Sequence, residues 1–297
     1  MRRAGQFSHV VFPRQQKRCM VDLGLVKTES RGVDKPSVPL DEAATGFVAW
    51  LFGRAGIDWR SYRADPLRRR LPACLRALRV GSFDAARRKI ETNPSSLPVA
   101  LTAMLLGVTE LFRDWEVFER LGRELARSAN ETPGGIRVWS SGCSAGAELY
   151  SVAILLSELG LLEQSTLLGT DCRGDALARA AEGRFLPEAV EQLPQAYRSY
   201  FEPSGQSWQI CGRLREKARW QLTDIVQMSS LGCWDVILFR NVAMYFEQDV
   251  ADALLSRMEH ALRPGGLLIL GKAERPHRSQ HFSLVAPCIY RRAKTHA

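Results

Sequence analysis

The chain has no zinc-ligand pattern, no stretch apolar enough to enter a bilayer and no hydrolytic triad, and those gaps narrow its chemistry first. Its seven cysteines, Cys19, Cys74, Cys143, Cys172, Cys211, Cys233 and Cys288, form no CxxC pair and no Cys/His cluster at metal-ligand spacing. An odd number of scattered thiols fits a reducing compartment, so a cytoplasmic location is expected. The five histidines, His9, His260, His277, His281 and His296, make no ligand pattern either. No apolar run approaches the ~18–20 residues that a membrane span requires. The N-terminal MRRAGQFSHVVFPRQQKRCM is basic but lacks the continuous apolar core and small-residue cleavage site of a secretory signal. A GxxxxGK[ST] loop is missing, which disfavours ATP hydrolysis. No internal repeat is visible.

What is there is enough for one large domain or two smaller ones: 297 residues, 45% hydrophobic and 25% charged. The formal charge of +9 is unevenly placed. Residues 1–100 hold 19 Lys+Arg against 9 Asp+Glu, whereas the remainder holds 22 against 23. The positive character therefore belongs to the N-terminal third, where it would steer an acidic partner.

Residues 1–38 mix Arg, Gln, Ser, Gly and Pro without periodicity and are expected to form a disordered leader. From residue 39 to 105 the pattern is helical. Phe47, Val48, Leu51 and Phe52 form one stripe, Leu67, Leu71, Leu75 and Leu78 another, and Gly56, Gly81 and Pro94 punctuate. Residues 106–297 alternate short apolar strands with amphipathic helices. Strands are expected at 136–140, 165–171, 234–241 and 267–271. Helices are expected around Leu149–Leu156, Ala176–Ala181 and Val250–Leu262, the last closed by Arg263-Pro264-Gly265-Gly266. Such alternation implies a parallel sheet covered on both faces. Between 183 and 224 the order lapses into short polar and aromatic runs, read as an inserted β-subdomain.

The stretch RVWSSGCSAGAELYS (137–151) sits where strand gives way to helix, and its glycines would bring bare backbone close to a ligand. Their spacing is GxxxG, so the dinucleotide fingerprint GxGxxG is absent, and a tight turn with close helix packing is an equally physical use. Asp171 ends the next strand, where a carboxylate can accept from both hydroxyls of a ribose, or simply form a turn. Glycine loop and acidic strand end together suggest an adenosine-containing ligand, and S-adenosylmethionine is the leading candidate.

Five segments in order, TELFRD (109–114), RVWSSGCSAGAELYS (137–151), GTD (169–171), FRNVAMYF (239–246) and LRPGGLLILGKAE (262–274), are similar to motifs of the CheR family, the chemotaxis-type protein-glutamate O-methyltransferases. GIDWRSYR (56–63) and LRRRL (67–71) extend the resemblance to about residues 45–292. It implies an α/β fold: a Rossmann-like class I methyltransferase sheet with an N-terminal all-helical domain and a small inserted β-subdomain. It also implies methyl transfer from S-adenosylmethionine, with S-adenosylhomocysteine as product, to glutamate side chains of a chemoreceptor or related signalling protein. Transferred residue by residue, it makes Arg113 the partner of the donor's carboxylate with Thr109 beside it. Glu148 would take the ammonium or a hydroxyl, and Asp171 the ribose. Asp224 and Ile225 would lie by the adenine, with Gly107, Gly142, Arg240 and Asn241 along the cleft and Tyr245 nearest the methyl group. Arg60, Arg63, Arg68, Arg69, Arg70, Arg76 and Arg79 would face the receptor's acidic helices. Departures from the motif are Ala147, Leu149, Gly107, Arg173, Asp224 and Phe239. Rival readings are a donor-sensing module with weak or no turnover, and a methyltransferase for RNA or a small molecule. Against nucleic acid, no [DN]PP[YF] motif occurs and the basic run carries no interleaved aromatics.

Overall fold

The computed structural model describes residues 39–105, 107, 109–129, 135–228, 231–276 and 281–294. The expected leader at 1–38 lies outside the described residues. Four helices come first: α1 Glu42–Gly53, α2 Ala64–Leu78, α3 Phe83–Thr92 and α4 Ser96–Met104. Asp41 caps α1 by accepting the Ala44 N–H at 2.7 Å, and Ser82 caps α3 by accepting from Ala85. Along α2, Leu67, Leu71, Cys74 and Leu78 turn inward at helical spacing, which leaves Arg69 and Arg76 on the exposed face.

Helix α5 (Trp115–Ala129) leads into a seven-stranded sheet and adds to the elements expected from the pattern. In chain order the sheet and its covering helices are β1 Arg137–Ser141, α6 Ala147–Glu158, β2 Thr166–Asp171 and α7 Gly174–Glu182, then, after an excursion, α10 Gly212–Lys217, β6 Ala218–Leu222, β7 Trp234–Phe239, α11 Gln248–Ala261, β8 Leu262–Leu270, β9 Phe282–Ala286 and β10 Ile289–Arg292. The excursion holds β3 Arg184–Phe185, α8 Pro187–Glu191, α9 Gln195–Arg198, β4 Phe201–Ser204 and β5 Ser207–Ile210, with a separate small sheet ordered β3-β5-β4.

Across the main sheet the order is β6-β2-β1-β7-β8-β10-β9. The first five strands are parallel, and β10 and β9 join antiparallel. Alternate residues serve two cores, as a pleated sheet covered on both faces requires. Val138, Val236, Leu238, Leu267 and Ile269 face α5 and α6. Trp139, Ile237, Phe239, Leu268 and Leu270 face α11 and the N-terminal helices, which thereby share a core with the sheet.

Three expectations need adjustment. The insertion is shorter than 183–224: its sheet ends at Ile210, and β6 pairs in parallel with β2 as the edge of the main sheet. Residues Arg263–Gly266 do not close α11 and stand apart from the next strand; they form a bulge inside β8, across which the pairing jumps from Trp234↔Leu262 to Val236↔Leu267. The β9–β10 hairpin completes the sheet where no strand was expected, because its exposed, mixed-polarity β9 carries little periodic signal.

The two glycines of the 137–151 stretch have different tasks. Gly142 lies at φ +68 with its backbone exposed, and a Cβ there would stand 2.6 Å from Val242 Cγ2. Gly146, at φ +80, makes room for an indole: its Cβ would lie 2.6 Å from Trp220 Cη2 and 3.0 Å from Ala180 Cβ. Gly146→Ala is therefore expected to cost about 2–4 kcal/mol, from left-handed strain plus overpacking. Denaturant unfolding of G146A, with Trp220→Leu recovering part of the loss, checks this; an unchanged midpoint contradicts it.

Candidate functional site

Strand order reverses between β1 and β7, so the loops leaving their carboxyl ends diverge and open a crevice, the usual ligand position in such sheets. Among the described residues six non-glycines have positive φ, and four of them lie on loops around it: Phe112 (53), Asp114 (60), Ser144 (50) and Asn241 (58). Such backbone outliers concentrate at sites where the surroundings over-determine the chain.

On the β1–β2 side, the loop after β1 folds back on β2. Cys143 donates its N–H to Thr170 O, and Ser144 donates its N–H to the Asp171 carboxylate at 2.9 Å. Ser144 Oγ–H reaches the carbonyl of Gly107, which places the exposed Gly107 at the crevice rim. Asp171 is buried and also accepts from the backbone N–H of Arg173 (3.0 Å), its Nε (3.1 Å) and, more loosely, its Nη2 (3.4 Å). Beyond β6, the Asp224 carboxylate accepts from the Val226 N–H and the Gln227 side chain, with Ile225 buried beside it. Burial raises the Asp224 carboxyl above the usual carboxylate range against those two bonds.

The opposite wall is assembled by Arg240, at the end of β7. Its side chain is 2% exposed and donates to Asp114 at 2.7 Å, Glu148 at 3.2 Å and the Arg113 carbonyl at 3.0 Å, with its guanidinium 5.3 Å from the Phe118 ring. The Arg240 side chain is thus a strut between the 109–114 loop, α6 and β7, rather than a cleft-lining group as expected. Glu148 is held by Arg240 and by Ser140 Oγ (2.9 Å), and burial pushes its carboxyl up despite both. The 109–114 loop is anchored by Phe112. Its N–H donates to Ser151 Oγ at 2.8 Å, and its ring stacks on Tyr197 at 4.8 Å. That leaves Thr109 and Arg113 half-buried on the loop.

Asn241 and Tyr245 lie on the loop after β7, Tyr245 in a single 3-10 turn. Two residues absent from the expected set hold this loop. Buried Glu274 accepts from the N–H groups of Gly271 (2.8 Å), Asn241 (2.9 Å) and, at longer range, Met244 (3.4 Å). From the helical unit, Arg63 donates its N–H to Tyr245 O and Ser61 O accepts from Glu247, a short antiparallel strap across which Tyr62 packs on Phe246 at 4.8 Å. The buried Tyr62 hydroxyl lies near Cys172. Burial, then the charges of Cys172, Asp224 and Asp171, push its phenol well above the usual range. Glu274 stands in the motif LRPGGLLILGKAE and Tyr62 in GIDWRSYR, so both were visible as letters. Their jobs were not, because each meets partners far away in sequence, Asn241 for Glu274 and Phe246 for Tyr62.

These groups fit the parts of an S-adenosyl donor. Carboxylates stand at the ends of β2 and β6, exposed backbone at Gly142, and a half-buried acid at Glu148, all at one edge of the sheet. Among the described residues no cluster of His, Cys, Asp and Glu could hold a metal, and no helix is long and apolar enough to cross a membrane.

Comparison with known proteins bears on the family. The family described as CheR methyltransferase, SAM binding domain, matches residues 107–288. Chemotaxis protein methyltransferase 1 of Pseudomonas aeruginosa is 28% identical over 264 residues, covering 84% of this chain and 96% of its own. The chemotaxis protein methyltransferase of Salmonella typhimurium is 29% identical over 263 residues, covering 83% and 88%. Among solved structures, N-methyltransferase NodS of Bradyrhizobium japonicum in complex with S-adenosyl-L-homocysteine shows a TM-score of 0.29 at 21% identity, over 52% of this chain and 61% of that one. With ordered motifs on the strand-end loops and a family match across most of the sequence, the chain belongs to the CheR family of S-adenosylmethionine-dependent methyltransferases.

Proposed function

We propose that this methyltransferase esterifies glutamate side chains of a chemoreceptor or related signalling protein in the cytoplasm, with the basic helical unit presenting the acceptor. The observation that carries the reading is the strap. Arg63, the residue before α2, bonds through its backbone to Tyr245, so a partner lying along α2 is brought beside the loop that would face the methyl group. Arg60, Arg63, Arg69, Arg76 and Arg79 are exposed there, a positive face suited to acidic helices.

A glutamate carboxylate is ionised at neutral pH (reference pKa about 4.3) and requires no general base. The chain's own residues need only bind, orient and exclude water. Arg113 and Thr109 would hold the donor's carboxylate, Glu148 its ammonium, Asp171 the ribose and Asp224 with Ile225 the adenine. Gly107, Gly142 and Asn241 line the crevice, and Tyr245 orients the acceptor. The bound donor supplies the electrophilic methyl group. The test is incubation with labelled donor and chemoreceptor cytoplasmic fragments, scored as base-labile methyl ester. Transfer that weakens when the exposed arginines are replaced supports the proposal; label on RNA, or donor binding without any transfer, opposes it.

A pH dependence follows from Glu148. A carboxyl raised in the folded state takes up its proton at a higher pH than in the unfolded chain. The anion that would meet an ammonium is thus lost while pH is still above the ordinary carboxylate value. S-adenosylhomocysteine affinity is expected to fall on acidification through that window. Glu148→Gln should bind more weakly at pH 7 with a flatter profile, the residue of the slope coming from Asp224. Calorimetric titration at several pH values reads this directly.

A further inference from the structure

The carboxylate assigned to the ribose is already taken. Asp171 and Arg173 are both buried, 6% and 4% exposed, and Arg173 forks onto both oxygens of Asp171. With the N–H groups of Ser144 and Arg173 added, four donors converge on a carboxylate that has about four lone-pair directions. No acceptor site is left for two hydroxyls. The guanidinium can lie there because residue 107 is glycine: a Cβ at 107 would stand 2.2 Å from Arg173 Nη2 and 2.5 Å from Ser144 Oγ. Gly107 and Arg173, two departures from the family motif, are thus two halves of one arrangement.

We propose that Arg173 sets donor and product affinity by competing with the ribose hydroxyls for Asp171, so that a nucleoside binds only when the guanidinium leaves the carboxylate. The proposal rests on the reading that Asp171 is the ribose ligand. Displacing Arg173 breaks a desolvated, hydrogen-bonded ion pair, which is costly. The backbone N–H groups of Ser144 and residue 173 remain on Asp171 throughout, so the carboxylate stays oriented and keeps room for two further donors. An arginine here therefore lowers affinity without removing the site. The enzyme would release product readily and respond to donor only at higher concentration than a relative lacking the pair.

Calorimetry with S-adenosylhomocysteine decides it. Arg173→Ala is expected to bind about tenfold or more tightly than the unaltered chain, and ligand should raise its melting temperature further. Arg173→Lys, whose ammonium cannot fork onto both oxygens, is expected to fall between and serves if the alanine variant does not fold. Equal or weaker binding by both variants overturns the proposal. The underlying assignment has its own arm: Asp171→Ala in the Arg173→Ala background should abolish the gained affinity. If that double variant binds as tightly as Arg173→Ala, the ribose assignment fails, and this inference with it.

Discussion

Asp171→Ala is expected to lower stability by about 3–5 kcal/mol, and Asp171→Ala combined with Arg173→Ala to return part of it. The single change strands the guanidinium of Arg173 in a site only 4% exposed, where among the described residues Asp171 is the carboxylate it bonds and Asp175 acts only through its charge. It also leaves the N–H groups of Ser144 and Arg173 without their acceptor. Removing one member of a buried pair is costly because the survivor stays charged and dry, whereas removing both leaves only a cavity and two amides. For a chain of this size the single variant should melt roughly 10 °C lower. Thermal unfolding of the two variants and the unaltered chain reads the coupling as a double-mutant cycle. Additive losses would show that the pair is not formed in solution.

The second large effect is expected at Glu274. Its carboxylate accepts the N–H groups of Gly271 and Asn241, and more distantly that of Met244, and so fixes the loop that carries Tyr245 from the end of the neighbouring strand β8. Glu274→Ala leaves those amides unpaired at about 1–3 kcal/mol each and frees a loop whose Asn241 is held at φ +58. If reaction depends on a Tyr245 placed to within an ångström, turnover should drop roughly a hundredfold. S-adenosylhomocysteine affinity should change far less, because Asp171 on β2, Asp224 beyond β6 and Glu148 on α6 are held by elements other than this loop. Glu274→Gln, which keeps one accepting oxygen, should recover part of the turnover. Parallel steady-state transfer and calorimetric binding separate the two effects, and equal losses in both would contradict a positioning role.

The strands of the main sheet were legible where burial on both faces leaves a mostly apolar run: Trp234–Phe239, interrupted only by Asp235, is buried at every position and was expected as a strand. That Asp171, Gly142 and Asn241 stand at strand ends was legible for a related reason, since local order sets such a place. Arg240 misled because its position was right while its side chain turned inward to bind Asp114 and Glu148, a choice made by partners 126 and 92 residues away. The Arg173–Gly107 arrangement was visible only as two unusual letters, as a missing Cβ acquires meaning only once a guanidinium fills its space. Trp220, read as part of a polar insertion, proved to be the indole that Gly146 and Gly169 make room for.

The central claim is that the donor occupies the crevice beyond β1, β2, β6 and β7, and backbone hydrogen exchange with and without S-adenosylhomocysteine tests it most directly. Protection is expected in the strand-end segments 141–146, 170–174, 223–227 and 240–245. Protection confined instead to the N-terminal helices or the small sheet at 184–210 would contradict it.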